Sequence, residues 1–378
     1  MCDTVFDALS IGRSHISAAS STCPTAPPRC NKPPSSCTLY ESCGCVLVRP
    51  SGCGADCKTL DKLVRHARGR DDSYGRCKFD GDCGHGYCAS GRCACHLIGK
   101  SNVLRYGGHN CSVDNRVGAD ESNNNLYSEK TMGQWYNENQ IAAARGKDAA
   151  QQKAGDTSMS GRGSTAESTV GVRAVLPRLI ELFNIVSIAD VPCGDFNYMR
   201  EILSSQAIRS RPLKYVGGDI VSKLVTRLNT LHGDGERVSF MRFDLYRQTL
   251  WPVDLIIVRD LLFHFSRSRV LAVLRRINDS GARYLLTTTK PSARNKDTCE
   301  MIYNASDPHA HERPLPSGCK AKFVAGLGFR GANVAWPINL QDAPFNLPPP
   351  ILSFGLDGYP RWDHMRVMAL WRLPLKIG

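Results

Sequence analysis

The sequence predicts an α/β protein in which residues 169–378 fold as a doubly wound, mostly parallel sheet behind a small disulfide-rich amino-terminal module. Three observations predict this. Beyond residue 170, short apolar runs alternate with segments whose apolar residues recur at helical spacing. That is the pattern of parallel strands covered by helices on both faces. The chain then ends in two apolar runs, ILSFGL and RVMALWRLP, with only a short Gly/Pro/Asp segment between them. Such a pair suits an antiparallel hairpin at a sheet edge. Finally, 14 of the 17 cysteines precede residue 112, so the first third of the chain obeys different rules from the rest.

Taken in order, VGVRAVLPRLIELFNI reads as an amphipathic helix and SIADV as a short buried strand. A helix, the strand KYVGGDI, a second helix, the strands VSFMRFDL and VDLIIVRD, a third helix and the strand RYLLTTTK follow. Five parallel strands and the terminal antiparallel pair make a seven-stranded Rossmann-like sheet.

The amino-terminal region divides into residues 1–73, 74–114 and 115–168. The first holds Cys2, Cys23, Cys30, Cys37, Cys43, Cys45, Cys53 and Cys57 among Pro, Ser and Thr, with no helical or strand period. Its spacing fits neither the paired CxxC zinc pattern nor the Cys/His finger, and no metal site is assigned. Residues 74–114 carry Cys77, Cys83, Cys88, Cys93, Cys95 and Cys111 with turn glycines between them. Dense cysteine with little apolar content reads as a disulfide framework, and six cysteines leave about 15 pairings open. The string CKFDGDCGHGYCASGRCACHLIGKSNVLRYGGHNC resembles an epidermal-growth-factor-like module. That resemblance implies the bridges Cys77–Cys88, Cys83–Cys93 and Cys95–Cys111. Residues 115–168 are polar, with an Asn run and a Gly/Ser/Thr stretch, and read as a linker and lead-in; the Ala/Gln-rich piece 138–152 suits a helix.

In open α/β sheets, ligands bind beyond the carboxyl ends of the strands, where strand order reverses. The first strand ends in Asp190-Val191-Pro192-Cys193-Gly194-Asp195. One glycine lets the backbone approach a ligand, but this is not the glycine-rich turn that a pyrophosphate needs. A cationic sulfonium ligand tolerates such a loop and welcomes Asp190 and Asp195, so the pattern favours S-adenosylmethionine over NAD. Asp219, after Gly217-Gly218, is placed to accept from ribose hydroxyls; its alternative role is a helix cap. Asp244 ends the third strand, placed for an adenine amine or as a turn residue. The fourth strand runs into Arg259-Asp260-Leu261-Leu262-Phe263-His264-Phe265. Asp260 and His264 are the candidate catalytic residues facing an acceptor, since histidine has the pKa range to take a proton. The alternative for His264 is a packed structural ring.

SGRGSTAEST, IADVPCGDFNYM, YVGGDIV, VRDLLFHF, RYLLTTT and WPINLQDAPFNLPPPI together resemble a family of class I S-adenosylmethionine-dependent methyltransferases, over residues 155–373. The resemblance implies cofactor contacts at Asp190, Cys193, Gly194, Asp195, Asp219, Asp244 and Asp260. It also implies a cover from Trp135 and the Gly163-Ser164-Thr165 turn, and an acceptor-side wall from Asn339 to Pro350, whose alternative is a proline-rich edge packed on the core. The polar stretch 291–330, with Cys299 and Cys319, departs from the family's pattern.

The formal charge is +13, spread along the chain without a Lys/Arg run, which argues against nucleic acid and leaves an anionic substrate open. No stretch reaches 18 apolar residues. Met1 to Ser20 lacks the basic start and apolar run of a signal peptide. The cysteines nevertheless predict the secretory lumen or the exterior; the cytoplasm is the alternative. The predicted activity is methyl transfer to a glycan or small-molecule hydroxyl. Its rivals are a glycan- or protein-binding module on a catalytically inactive scaffold and, more distantly, a nicotinamide-dependent oxidoreductase.

Overall fold

A computed structural model describes residues 48–50, most of 77–115, 132–133, 158–295, 337–355 and 366–377. The cysteines from Cys2 to Cys57, the helix expected over 138–152, Trp135, Cys299 and Cys319 lie outside the described residues.

In chain order the elements of the first third are short: β1 (Val48–Pro50), β2 (Gly86–Ala89), β3 (Arg92–Cys95), β4 (Leu97–Ile98), β5 (Val103–Leu104), β6 (Tyr106–Gly107) and β7 (Val113–Asp114). The α/β region follows as α1 (Val170–Leu182), β8 (Ser187–Asp190), α2 (Asn197–Ser204), α3 (Gln206–Arg209), β9 (Lys214–Asp219), α4 (Ser222–His232), β10 (Val238–Arg242) and β11 (Leu255–Val258). It ends with α5 (Arg267–Asp279), β12 (Tyr284–Thr289), β13 (Leu352–Gly355) and β14 (Val367–Arg372). All seven strands read from the sequence are present, in the order β10-β9-β8-β11-β12-β14-β13. Strands β8 to β12 are parallel, and β14 runs antiparallel between β12 and β13.

The sheet is wider than the sequence predicts. β5 pairs beside β10, β4 beside β5, and β1 beside β13. Among the described residues this gives ten strands, with both edges of the seven-stranded sheet covered by the first third of the chain. Covering an edge satisfies a row of backbone N–H and C=O groups that would otherwise invite pairing with another chain. Strands of two or three residues carry no readable period, so the sequence pattern could not reveal them.

Side-chain alternation along the strands splits the core in two. Leu255 and Ile257 of β11 face one side with α1, α2 and α4, whereas Ile256 and Val258 face the other with α5. Among the described residues the second face carries one α-helix in the α/β region, and the segment after residue 337 packs beside it. Ile338, Leu340, Phe345 and Leu347 are buried there. Asn295, fully buried, fixes this segment: its Nδ2 donates to the carbonyls of Asn339 (2.7 Å) and Ala343 (3.0 Å), and its Oδ1 accepts from Asn339 N (2.9 Å). The stretch Asn339 to Pro350 is thus a packed face of the core.

Residues 77–115 hold the bridges Cys77–Cys88, Cys83–Cys93 and Cys95–Cys111, the pairing implied by the sequence resemblance. Their sulfurs form the unit's buried centre. This unit is fixed to the base of the sheet, at the amino end of β11 and the end of α5. Gly108 N donates to Leu250 O (2.8 Å) and His109 N to Asp279 O (2.9 Å). Asn115 exchanges two bonds with the Thr249 backbone. A Cβ at Gly107 would collide with the Thr249 carbonyl, so the close approach requires glycine there. Arg92 pairs with buried Asp254 at 2.9 Å. Alkylation of the unreduced protein, followed by peptide mapping, is expected to leave all six cysteines from Cys77 to Cys111 unlabelled and joined in these pairs. Labelled thiols there would contradict the bridged unit.

Candidate functional site

Strand order reverses between β8 and β11, so the switch point lies where these two strands end. Asp190, the last residue of β8, is completely buried. Its Oδ2 accepts from Tyr215 Oη at 2.9 Å, while Oδ1 has no hydrogen-bond partner among the described residues. Burial pushes this carboxyl up to about 7, against the opposing pull of Tyr215 and Arg259. A buried acceptor of this kind is costly unless something satisfies it.

The following loop is tied to β9 by Cys193 N donating to Gly218 O at 2.9 Å. The Cys193 thiol is buried and unbridged, and burial together with Asp219 and Asp190 pushes it well above the usual thiol range. It therefore stays protonated and packs as a small apolar side chain. Gly194 has φ +54°, a left-handed conformation, and Ser160 Oγ fills the space where its Cβ would be. Its N–H donates to Asp219 Oδ2 at 3.3 Å, and Asp219 Oδ1 accepts from Val221 N at 3.0 Å. Burial raises the Asp219 carboxyl to about 6, although the backbone donors pull it down. Gly217 and Gly218 are required by packing: a Cβ at the first would strike the Phe240 ring and at the second Val191.

Asp195 holds the segment that begins at Ser158. Its Oδ2 accepts from Ser158 Oγ (2.8 Å), Met159 N (2.6 Å) and Ser160 N (3.4 Å), and its own N–H donates to Ser160 Oγ (2.7 Å). Further along this segment, Asn197 Nδ2 donates to Ser164 O at 3.0 Å.

At the end of β11, Asp260 has φ +55°. Its backbone N–H donates to Thr288 Oγ1 (3.0 Å), and the same hydroxyl lies 3.1 Å from its Oδ1. Arg366 Nη1 is 3.1 Å from Oδ1 and Arg259 Nη1 is 3.3 Å from Oδ2. Burial alone would raise this carboxyl, but the two guanidiniums, Thr288 and His264 outweigh it and hold it below the ordinary value. His264 ends a single 3-10 turn, Leu262–His264, half-buried with its ring 4.4 Å from that of Phe263. Arg366 lies over the same Phe263 ring.

The structure therefore brings Asp190, Cys193, Gly194, Asp195 and Asp219 into one contiguous group. Asp260 joins it through Arg259, whose guanidinium lies over the Tyr198 ring, and His264 flanks Asp260. Asp244 stands apart at the end of β10. Its Oδ1 accepts from Tyr246 N and Arg247 N, and its Oδ2 lies 3.6 Å from Arg247, so it closes its own turn. Sequence reading missed Tyr198, Tyr215, Arg259, Thr288, Arg366 and Ser158 to Ser160. Arg259 had a signal, standing between the apolar strand β11 and Asp260. The others come from neighbouring strands, a helix or the segment that begins at Ser158 and carry no local signature. Among the described residues, the one cluster of metal-type donors is Cys77, Cys83 and Cys93, whose sulfurs are engaged in bridges.

The two raised carboxylates give a signed pH dependence. An acid whose folded pKa exceeds its unfolded value, about 3.9, contributes stability that is full below the unfolded pKa and lost as pH rises through the folded one. The loss for Asp190 runs from about pH 4 to 7 and for Asp219 from about 4 to 6. Each contributes at most about 1.4 kcal/mol per pH unit. Urea midpoints of the wild type should fall across this range more steeply than those of Asp190→Asn. Parallel slopes would show that Asp190 is ionised throughout.

No family model matches the chain, and no curated protein matches it. Solved structures do align with it. One is magnesium protoporphyrin IX methyltransferase from Synechocystis with bound SAH, at 15% identity, covering 53% of this chain and 81% of that one with a TM-score of 0.33. Another is a possible exported protein from Bordetella parapertussis, at 19% identity, covering 55% and 68% with a TM-score of 0.34. A third is human N-acetylserotonin methyltransferase in complex with SAM, at 15% identity, covering 53% and 52% with a TM-score of 0.32. This chain thus spans about half the length of the human enzyme.

Proposed function

We propose that the chain is an S-adenosylmethionine-dependent methyltransferase whose cofactor binds across the ends of β8, β9 and β11. The observation that carries this reading is the pairing of a strand order with a loop chemistry. A β14 strand inserted antiparallel between β12 and β13 closes the sheet, and the switch point presents carboxylates around one glycine in place of a glycine-rich phosphate turn. The buried Oδ1 of Asp190, which has only the Tyr198 hydroxyl nearby to ease it, fits a ligand that brings a positive charge or a donor.

Asp219 is assigned to the ribose hydroxyls, and Asp190 and Gly194 to the cationic end. Cys193 shapes the floor, Asp195 acts by holding the cover, and Asp244 borders the adenine side. When bound, S-adenosylmethionine supplies an electrophilic methyl group. The chain's contribution is alignment and exclusion of water. Asp260, held by two guanidiniums, is a weak base and serves to orient the acceptor end. His264 is the group with the pKa range to accept a proton from an acceptor hydroxyl. With an acceptor in hand, His264→Ala should lower turnover by about 10²-fold or more while leaving cofactor affinity within a factor of two or so. Undiminished turnover would make the ring structural.

The residue ranges 74–114, as an epidermal-growth-factor-like unit, and 169–378, as the methyltransferase domain, belong to the same proposal. So do an oxidising compartment, supported by the three bridges, and a glycan or small-molecule hydroxyl as acceptor. No helix among the described residues is long and apolar enough to cross a membrane. Ultraviolet crosslinking of methyl-labelled S-adenosylmethionine to the full chain tests the activity class. Labelling should be suppressed by S-adenosylhomocysteine and unaffected by NAD; no specific labelling would overturn the proposal.

A further inference from the structure

Segment 158–169 lies against the loops that follow β8 and β11 and is held there by charge at both of its ends. At its start, the Asp195 carboxylate gathers Ser158 and the N–H groups of Met159 and Ser160. At its far end, the polarity is reversed. The Arg259 guanidinium donates through Nη2 to the carbonyls of Gly163 (2.5 Å) and Ser168 (3.3 Å). The same group reaches Asp260 through Nη1 (3.3 Å), and its Cζ lies 5.4 Å from the Tyr198 ring centre. Arg259 is buried. A buried guanidinium is retained where its flat fork reaches several acceptors at once.

We propose that Arg259 is a positioning residue that, while paired with Asp260, latches segment 158–169 down over the cofactor and so slows its release. The inference rests on the methyltransferase reading for its cofactor half and on the geometry alone for its closure half. Arg259 reads only backbone carbonyls of the segment, so it recognises the segment's folded shape, in which the two short 3-10 turns Arg162–Ser164 and Glu167–Thr169 point carbonyls inward. With the segment seated, the guanidinium is shared between its two carbonyls and Asp260.

Arg259→Lys is the informative variant. It keeps the charge beside Asp260 but replaces the fork by a single ammonium that cannot span two carbonyls and a carboxylate. The test is hydrogen exchange of the full-length variant without cofactor, together with the dissociation rate of S-adenosylmethionine. Exchange in peptides covering 158–169 should accelerate roughly tenfold, with β8, β11 and β12 unchanged. The cofactor should dissociate roughly tenfold faster, the worth of about one charged hydrogen bond. Unchanged exchange in the segment, or a uniform rise across the sheet, would overturn the latch. Faster segment exchange with an unchanged dissociation rate would overturn the coupling to the cofactor. If the wild type binds no S-adenosylmethionine, the methyltransferase reading and the coupling fail together, and the exchange arm still decides the latch.

Discussion

Replacing Asp254 by alanine is expected to lower the unfolding free energy by about 3–5 kcal/mol. This carboxylate lies at the base of the sheet, at the end opposite the candidate site, with 6% of its side chain exposed. Its Oδ2 accepts from Val186 N (2.8 Å), Ser187 N (3.1 Å) and Ser187 Oγ (3.2 Å). Its Oδ1 meets Arg92 at 2.9 Å and Arg283 at 3.1 Å. One side chain thus joins the start of β8, the start of β12 and the disulfide unit. Breaking a buried pair from one side costs more than the pair is worth, because the remaining charge is left without its counterion. The measurement is urea denaturation followed by far-ultraviolet circular dichroism, with Arg92→Ala as the companion. Arg92 is less buried and should cost less. A loss under about 1 kcal/mol for Asp254→Ala would show that water replaces the carboxylate and that the docking of the cysteine-rich unit is superficial.

The second large effect concerns Asp219. Its carboxylate accepts from Gly194 and Val221, so it joins the first loop to the second strand before any ligand arrives. A carboxylate accepting two ribose hydroxyls would add two charge-assisted bonds of about 1.5–3 kcal/mol each. Asp219→Ala should therefore weaken S-adenosylmethionine binding by about 10²-fold or more. Because the same substitution loosens the Gly194 loop, Asp219→Asn is the control. It keeps the shape and should fall between the two. Equal affinity for wild type and Asp219→Ala would reduce Asp219 to the capping role seen at Val221.

The seven strands were legible because each is a short apolar run bounded by turn residues or a helix, and β11 is buried on both faces as its unbroken LIIV implies. The placement of Asp190, Asp219 and Asp260 at strand ends was legible for a different reason: an acidic residue closing an apolar run of a parallel strand stands out. Asp244 obeys the same rule, yet its carboxylate closes a local turn. The rule locates a residue without fixing what it binds. Asp254 was not legible, because it precedes its strand and its partners come from three distant segments. Tyr215 on Asp190 and Arg366 on Asp260 were hidden likewise, since strand neighbours are set by topology. The width of the sheet was illegible because β1, β4 and β5 are too short to show alternation.

Calorimetric titration of the full-length protein with S-adenosylmethionine and, separately, with NAD decides which cofactor the sheet holds. Saturable binding of S-adenosylmethionine in the micromolar range is expected, lost with Asp219→Ala, with no heat from NAD. NAD binding, or silence with both ligands from a folded protein, would contradict the methyltransferase reading.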